Sequence, residues 1–230
     1  NFKKNFEKLI LKRRKIDTKV NKVVNRIIDD VKRRGDKALV YYERKFNNNS
    51  KLIPSKKSID KAIRVLNPEI KKAIFESYKR IYKWHSLQLR KNITYKDNLG
   101  NKFSYITKPL DAVAVYCPGN LPSSTLMCCT LAQIAGVKRI VLSTPAINGK
   151  LNGAVMYAAK LCNVKEIVSL SGASAIAALG YGTKKIKPVD LITGPGSSYV
   201  AAAKRILSAE NIISQERMYA GESEIVCWCD

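Results

Sequence analysis

The chain has 230 residues, of which 46% are hydrophobic and 26% charged, so it is long enough to bury a core and is not composed like a disordered segment. No apolar run reaches the roughly 20 residues that a membrane-spanning helix needs, and no charged n-region with an apolar stretch predicts a secretory signal. The formal net charge of +24 is uneven: residues 1–110 carry 31 Lys+Arg against 10 Asp+Glu, and residues 111–230 carry 11 against 8.

Residues 5–46 have a helical pattern. Apolar residues recur at i, i+3, i+4, i+7, i+8 and i+11, which places them on one stripe of a helix: Val20, Val23, Val24, Ile27, Ile28 and Val31. Gly35 interrupts this helix, and Asp36 is predicted to cap the next one, DKALVYYERKF. The polar run FNNNS (46–50) predicts a loop.

Two more helices are predicted before the pattern changes. Ser58 is expected to cap the segment IDKAIRVL, and Asn67-Pro68 is expected to begin a long helix, because proline is favoured at the first helical position. The only histidine, His85, lies on this long helix with no carboxylate or cysteine motif around it. A surface or boundary position is therefore favoured over a catalytic role.

The basic excess of residues 1–110 has two interpretations. A basic surface attracts polyanions, and Tyr78, Tyr82 and Trp84 interleave with Lys and Arg. No RNA- or DNA-binding signature accompanies them. A solvated helical surface is favoured, and nucleic-acid binding is the alternative.

From residue 103 the periodicity becomes that of alternating strands and helices. FSYITKPL reads as a strand, and four apolar runs then each lead through a turn into a helix: VAVYC, RIVLSTP, EIVSLSG and DLITGPG. This succession predicts an α/β fold, a Rossmann-like parallel sheet with helices on both faces. The predicted organisation is a basic, mainly helical region (1–110), a Rossmann-like domain (111–221) and the start of a further strand, SEIVCWC, in 222–230.

Ligands bind such sheets at the carboxyl ends of the strands, so the turns CPGN, LSTP, LSGAS and TGPGSS are the candidates. In GPGSSY, Gly196 permits close approach of a ligand, and Ser197 and Ser198 offer hydroxyl and N–H groups at a positive helix end. Tyr199, however, stands where a dinucleotide fingerprint needs its third glycine. A strand-to-helix corner without a ligand explains this turn equally well.

The six cysteines lie in apolar segments and do not form the pattern of a disulfide framework: Cys117, Cys128, Cys129, Cys162, Cys227 and Cys229. Buried, reduced cysteines and a cytoplasmic location are therefore expected. A zinc site at Cys227-x-Cys229 is disfavoured, because the spacing is not C-x2-C and no second ligand pair is near.

Five ordered segments, together with VKRRGDKALVYYERKF near the start, resemble the histidinol dehydrogenase family: VAVYCPGNLPSSTLM, AGVKRIVLSTP, SGASAIAALGYGT, VDLITGPGSSYVAAAKR and AGESEI. The resemblance runs from about Val20 to Asp230. It implies two successive NAD-dependent oxidations of L-histidinol to L-histidine through the aldehyde, in histidine biosynthesis. It also implies a zinc ion in the site and a homodimer.

The resemblance implies three NAD contacts. Tyr116 matches the tyrosine of the family's YxPGG turn, although the turn here is shorter and lacks the second glycine. Ser174 stands in the place of the glutamine in GGAQAIAAL, and Ser197 in that of the asparagine in GPGN. Each serine is shorter than the amide it replaces, and losing two hydrogen bonds weakens NAD binding by about 2 kcal/mol, or one to two orders of magnitude.

The resemblance also implies that Ser223 contacts the substrate, with Glu222 replacing the proline of the family's AGPSE. It places the zinc ligands, including a Gln-Ala-Glu-His segment, and the proton-moving Glu-His pair downstream of Asp230. No catalytic or metal-binding residue is therefore predicted within the chain, and the polypeptide alone is expected not to reduce NAD with histidinol and zinc. Three hypotheses stay open: a truncated or divided histidinol dehydrogenase, a homologue without redox activity, and a polyanion-binding protein.

Overall fold

The computed structural model of the protein describes residues 3, 4, 6 and 18–215. Between residues 18 and 215 the chain forms eight helices. These are α1 (Thr18–Arg34), α2 (Asp36–Asn47), α3 (Lys56–Arg64), α4 (Pro68–Ser86), α5 (Pro122–Ile134), α6 (Gly153–Leu161), α7 (Gly172–Tyr181) and α8 (Ser198–Ala209). None of the helices in this described part has the length and apolar character required to cross a lipid bilayer.

Seven strands complete the described part: β1 (Ile93–Lys96), β2 (Lys102–Tyr105), β3 (Ala112–Tyr116), β4 (Arg139–Ser143), β5 (Glu166–Val168), β6 (Leu191–Thr193) and β7 (Ser214–Gln215). β1 and β2 pair as an antiparallel hairpin, and the other five form one sheet in the order β5-β4-β3-β6-β7 with every pair parallel. The strand order reverses direction between β3 and β6. The predicted α/β fold, a Rossmann-like parallel sheet with helices on both faces, is confirmed.

The central strand β3 is buried on both faces, as its uninterrupted apolar sequence requires. Side chains at alternate positions enter two separate cores: Ala112, Ala114 and Tyr116 face one, and Val113, Val115 and Cys117 face the other. The first core is covered by α1, α2, α7 and α8, and the second by α3, α4, α5 and α6. The N-terminal helices are therefore part of the layers that cover the sheet.

The predicted apolar stripe of α1 packs on α7 and α8. Val24, Ile28 and Val31 are buried there, and Val20 and Ile27 are partly buried. Val23 is 41% exposed and lies outside the contact. The stripe is thus narrower than its sequence pattern predicted.

Two predicted helix caps are wrong by one to three residues. The residue before α2 is Gly35 in a left-handed conformation (φ +55°), and the Asp36 carboxylate accepts a hydrogen bond from the Thr183 hydroxyl instead of capping. The cap of α3 is Ser55, whose hydroxyl oxygen accepts a hydrogen bond from the Ser58 N–H. The start of α4 is as predicted, with the Asn67 side chain accepting from the Glu69 N–H.

The strand expected in residues 103–110 is present as β2, but its partner β1 and the short strand β7 were not predicted. All eight residues of the hairpin are exposed, so neither strand carries the burial pattern of a core strand. The predicted loop at 46–50 begins two residues later, because α2 continues through Asn47. The predicted strand SEIVCWC lies outside the described residues.

Candidate functional site

The carboxyl ends of β3 and β6 lie side by side at the point where the strand order changes direction. Their backbones approach so closely that a Cβ atom on Gly194 would lie 2.1 Å from the carbonyl oxygen of Tyr116. Gly194 also has φ +109°, a conformation that favours glycine. A crevice of this kind is where open parallel sheets bind their ligands.

Tyr116 ends β3 and is 7% exposed. Its phenol oxygen accepts a hydrogen bond of 3.1 Å from the N–H of Gly172, the first residue of α7, and its own O–H donates to no acceptor among the described residues. Burial raises the pKa of this phenol, so it stays protonated at neutral pH. Tyr116 therefore joins the end of β3 to the start of α7.

A second side chain, Glu43 of α2, also binds the start of α7, and sequence reasoning missed it. Its carboxylate is fully buried, and its Oε1 accepts hydrogen bonds from the N–H and the hydroxyl of Ser171, at 2.7 Å and 3.0 Å. Its Oε2 accepts a bond of 2.7 Å from the side-chain amide of Asn47. The negative charge lies at the positive end of α7, which stabilises it.

Ser174 lies in the first turn of α7 and is 3% exposed. Its hydroxyl donates a hydrogen bond of 2.9 Å to the carbonyl oxygen of Ser171. The hydroxyl is therefore committed to its own helix and reaches a ligand only after a change of side-chain rotamer.

Ser197 precedes α8 at the end of the GPG turn. Its side chain is exposed and makes no capping hydrogen bond, in contrast to Ser55 before α3. The turn itself is bound by Lys204, a buried residue that is 3% exposed. Its Nζ donates a hydrogen bond of 2.6 Å to the Gly194 carbonyl oxygen. Sequence reasoning missed this buried lysine as well.

Thr144, directly after β4, adds one more polar group at this edge of the sheet. It is 1% exposed, and its hydroxyl oxygen is the only buried side-chain polar atom in the described residues that lacks a hydrogen-bond partner. The preceding residue, Ser143, is the register partner of Tyr116.

The structure thus brings three of the predicted site residues to one edge of the sheet. Tyr116 binds the first turn of α7, which contains Ser174, and its backbone touches Gly194, three residues before Ser197. Ser223 and Glu222 lie outside the described residues.

The sequence profile of one protein family, histidinol dehydrogenase, matches residues 11–230. The chain belongs to the histidinol dehydrogenase family. It is 52% identical over 234 residues to the histidinol dehydrogenase of Pelagibacter ubique and 41% identical over 236 residues to that of Rhizobium meliloti. These matches cover 99% and 100% of this chain but 54% of each relative.

A solved structure supports the same assignment. The crystal structure of histidinol dehydrogenase from Elizabethkingia anophelis is similar with a TM-score of 0.85 and 32% sequence identity, over 90% of this chain and 49% of that one. The chain therefore spans about half the length of the histidinol dehydrogenases that it matches.

The described part of the chain contains no group of three or more His, Cys, Asp or Glu side chains placed to hold a metal ion. His85 is half-buried near the end of α4, and its Nδ1 lies 2.7 Å from the Gln88 side-chain oxygen, as a boundary residue would. Within the described residues four cysteine side chains remain thiols outside any disulfide, three of them buried: Cys117, Cys128, Cys129 and Cys162. Burial raises the pKa of the Cys117, Cys129 and Cys162 thiols, which fits a structural role. Cys227 and Cys229 lie outside the described residues.

Glu43 makes the stability of the protein depend on pH. Burial raises the pKa of its carboxyl above the ordinary value of 4.5, and the hydrogen bonds from Asn47 and Ser171 only partly offset this. Above pH 4.5 the folded state keeps a proton that the unfolded chain has released, so the contribution of Glu43 to the free energy of unfolding falls as the pH rises. It becomes constant once the folded protein has also released the proton.

We therefore expect the difference in free energy of unfolding between wild type and Glu43→Gln to decrease from pH 4.5 upwards and then to level off. Urea titrations at several pH values between about 4 and 8 measure this difference. Glu69→Gln, at an exposed position in the first turn of α4, is the matched control for removing a carboxylate at the start of a helix. If the wild type instead became more stable relative to Glu43→Gln as the pH rises, the raised pKa of the Glu43 carboxyl would be contradicted.

Proposed function

We propose that this chain binds NAD at the carboxyl ends of β3 and β6. We propose further that, within a complete histidinol dehydrogenase, it takes part in the oxidation of L-histidinol to L-histidine through the aldehyde. One observation carries the proposal: the positions that the family resemblance assigns to NAD, at Tyr116, Ser174 and Ser197, surround a single switch point of the sheet. The resemblance extends the proposal to a cytoplasmic homodimer.

The polar groups of this edge suit a dinucleotide. Ser197 is exposed and its hydroxyl makes no cap hydrogen bond, and the buried Thr144 hydroxyl has no hydrogen-bond partner among the described residues. The start of α8 presents N–H groups and the positive end of the helix dipole, which favour the negative charge of a pyrophosphate. The start of α7 is less suitable for an anion, because Glu43 and Tyr116 already accept from the N–H groups of Ser171 and Gly172.

When bound, NAD supplies the hydride acceptor of the oxidation. The residues of this chain would bind and orient it. Tyr116 would present its ring and its free phenol O–H, while Lys204, by holding the Gly194 carbonyl, keeps the GPG turn in a fixed shape. Both groups are buried, so they would position the cofactor with little loss of side-chain entropy on binding.

The zinc ion implied by the family does not fit the described residues, which lack a suitable cluster of ligands. We assign no step of the reaction to a metal on this part of the chain. The family resemblance places the zinc ligands and the proton-transfer residues in sequence beyond Asp230.

Calorimetric titration with NAD tests the proposal. We expect saturable binding, weaker than with an asparagine at position 197, in buffer of physiological salt concentration, where non-specific attraction to the basic surface is screened. NAD binding that disappears under these conditions would be only non-specific attraction, and the absence of saturable heat at any salt concentration would favour a homologue without redox function. A polyanion-binding protein would instead bind nucleic acid with sequence preference at physiological salt.

Ser197→Asn should strengthen NAD binding about two- to twelvefold, because it restores one neutral hydrogen bond worth about 0.5–1.5 kcal/mol. The side chain is exposed, so the larger amide fits without repacking. Ser55→Asn is the matched control, since Ser55 is also an exposed serine that precedes a helix but lies at the start of α3. Equal NAD affinities for the two variants would contradict the role of Ser197.

A further inference from the structure

The β1–β2 hairpin has an apolar face, and no strand in the described part of the chain extends it beyond two strands. Ile93 lies opposite Tyr105 and Tyr95 opposite Phe103, so these four side chains lie on one side of the hairpin, and Thr94, Ser104, Lys96 and Lys102 lie on the other. We call Ile93, Tyr95, Phe103 and Tyr105 the hairpin face. Each of the four is between 55% and 63% exposed.

An exposed apolar face is unusual for a hairpin. A two-stranded hairpin alone is marginally stable in water, and it normally needs further strands or a packed element on its apolar side. Tyr95 and Phe103 stack on each other with ring centroids 6.2 Å apart, but this contact leaves both rings more than half exposed. The alternation of apolar and polar side chains is that of a sheet with one covered face.

The base of the hairpin borders a large apolar cavity of about 740 Å³. The segments just before β1 and just after β2 form one wall, α5 forms another, and the side chains of Leu191 and Thr193 on β6 form the floor. Leu131 on α5 and Leu110 after β2 line the cavity and are each 43% exposed. On this face of the sheet the helices α3–α6 cover β3, β4 and β5, and Leu191 on β6 is only partly buried.

We propose that the hairpin face and this cavity form the docking surface for the half of the histidinol dehydrogenase polypeptide that this chain does not match. This chain covers 54% of the length of the matched relatives, so the part of each relative that it does not match is nearly as long as the part that it does. An apolar surface that combines a cavity and a sheet face is the kind that a permanent intramolecular interface buries.

The charges around the cavity define the chemistry of the docked surface. Arg90, Lys91 and Lys108 lie at its edge, all exposed, and the described residues that line it include no Asp or Glu. The complementary surface is therefore apolar at its centre with carboxylates around it. This inference rests on family membership and not on the proposed binding of NAD.

A chimera tests the proposal. The 230-residue chain is extended after Asp230 with the unmatched half of the Pelagibacter ubique relative, with a protease site at the junction. We expect the hairpin amides of residues 93–96 and 102–105 to exchange at least about tenfold more slowly in the chimera than in the chain alone. The amides of β4, which is already buried, should exchange at the same rate in both.

Cleavage at the junction provides the second measurement. The two pieces should co-elute from a size-exclusion column, and the double variant Tyr95→Ser/Phe103→Ser should separate them. Phe46→Ser, at a position 63% exposed on α2, is the matched control and should leave them together. Pieces that stay together in the hairpin variant, or hairpin amides that exchange equally fast in both proteins, would overturn the proposal.

Two further outcomes are also decisive. If the chimera does not fold, the same exchange measurement on the full-length Pelagibacter relative decides the question, because fast exchange of its corresponding hairpin would overturn the proposal and slow exchange would support it. If the chain alone forms a dimer that Tyr95→Ser/Phe103→Ser dissociates, a second copy is the occupant and the proposal is wrong. None of these readouts depends on NAD, so they distinguish this inference from the proposed function.

Discussion

Replacing Gly194 with alanine should destabilise the protein by more than about 4 kcal/mol, or prevent it from folding. The new Cβ would lie 2.1 Å from the Tyr116 carbonyl oxygen and 3.1 Å from its carbonyl carbon. Both are backbone atoms of the central strand, so the clash is relieved only by separating β6 from β3. The positive φ of +109° adds conformational strain for any residue with a side chain.

Gly100→Ala separates the two contributions. Gly100, in the hairpin turn, also has a positive φ of +88°, but a Cβ there meets no atom within 4 Å. The free energy of unfolding of Gly100→Ala should therefore fall only by the backbone strain, about 1 kcal/mol. Urea denaturation measures the free energy of unfolding of both variants. If the two variants lose amounts that differ by less than about 1 kcal/mol, the strain of one residue, then β3 and β6 tolerate separation and the clash costs little.

Glu43→Ala should cost about 3 kcal/mol of stability, the second largest effect that we expect. The substitution removes the acceptor for three donors at once: the Ser171 N–H, the Ser171 hydroxyl and the Asn47 amide. The site is fully buried, so water does not readily replace the lost bonds. The start of α7 then loses the anion that neutralises its dipole.

Glu69→Ala is the matched control for this change. Glu69 is an exposed glutamate in the first turn of α4, and its removal should alter stability by no more than about 0.5 kcal/mol. The loss of stability in Glu43→Gln should lie between those of Glu43→Ala and Glu69→Ala. The glutamine keeps an oxygen that accepts from Ser171, but its NH2 group faces the NH2 group of Asn47. Thermal or urea unfolding measures all three, and a Glu43→Ala variant as stable as Glu69→Ala would show that the buried bonds contribute nothing.

Four strands of the sheet, β3 to β6, and the helices after them were predictable because each of these strands is a short apolar run that leads into a turn with glycine, proline or serine. β3 is the clearest case, since all five of its residues are buried and apolar. β1 was not predictable in the same way, because its sequence ITYK contains a lysine and two exposed aromatic or branched residues on one side. Its pattern is that of a strand whose covering surface is not in the described part of the chain.

Glu43 and Lys204 were missed because a charged residue on a helix is normally solvated. A signal was nevertheless present in the sequence. Glu43 lies four residues after the buried Leu39, and Lys204 lies four residues after the buried Val200, so each occupies the apolar face of its helix. A charge on an apolar stripe indicates a buried partner, but the identity of that partner depends on tertiary contacts that the local pattern does not contain.

The two serines that differ from the family motif at the start of α7 are linked to each other by a hydrogen bond. Where the resembled family motif reads GGAQ, this chain reads SGAS, and the structure uses the first serine, Ser171, to bind Glu43. The second, Ser174, donates back to the Ser171 carbonyl. Sequence comparison alone shows two separate substitutions, whereas the structure shows one hydrogen-bonded group that includes a residue 128 positions away.

The packing of α1 on α7 and α8 has a consequence for the order of folding. Val24, Ile28 and Val31 are buried by α7 and α8, which begin roughly 140 to 175 residues later in the chain, a length that a ribosome needs about 7 to 35 s to synthesise. During that time the apolar side of α1 can pack natively only on α2, which follows it directly in the chain. α1 is thus synthesised long before most of its native contacts exist, and its apolar side stays open to chaperones until α7 and α8 are made.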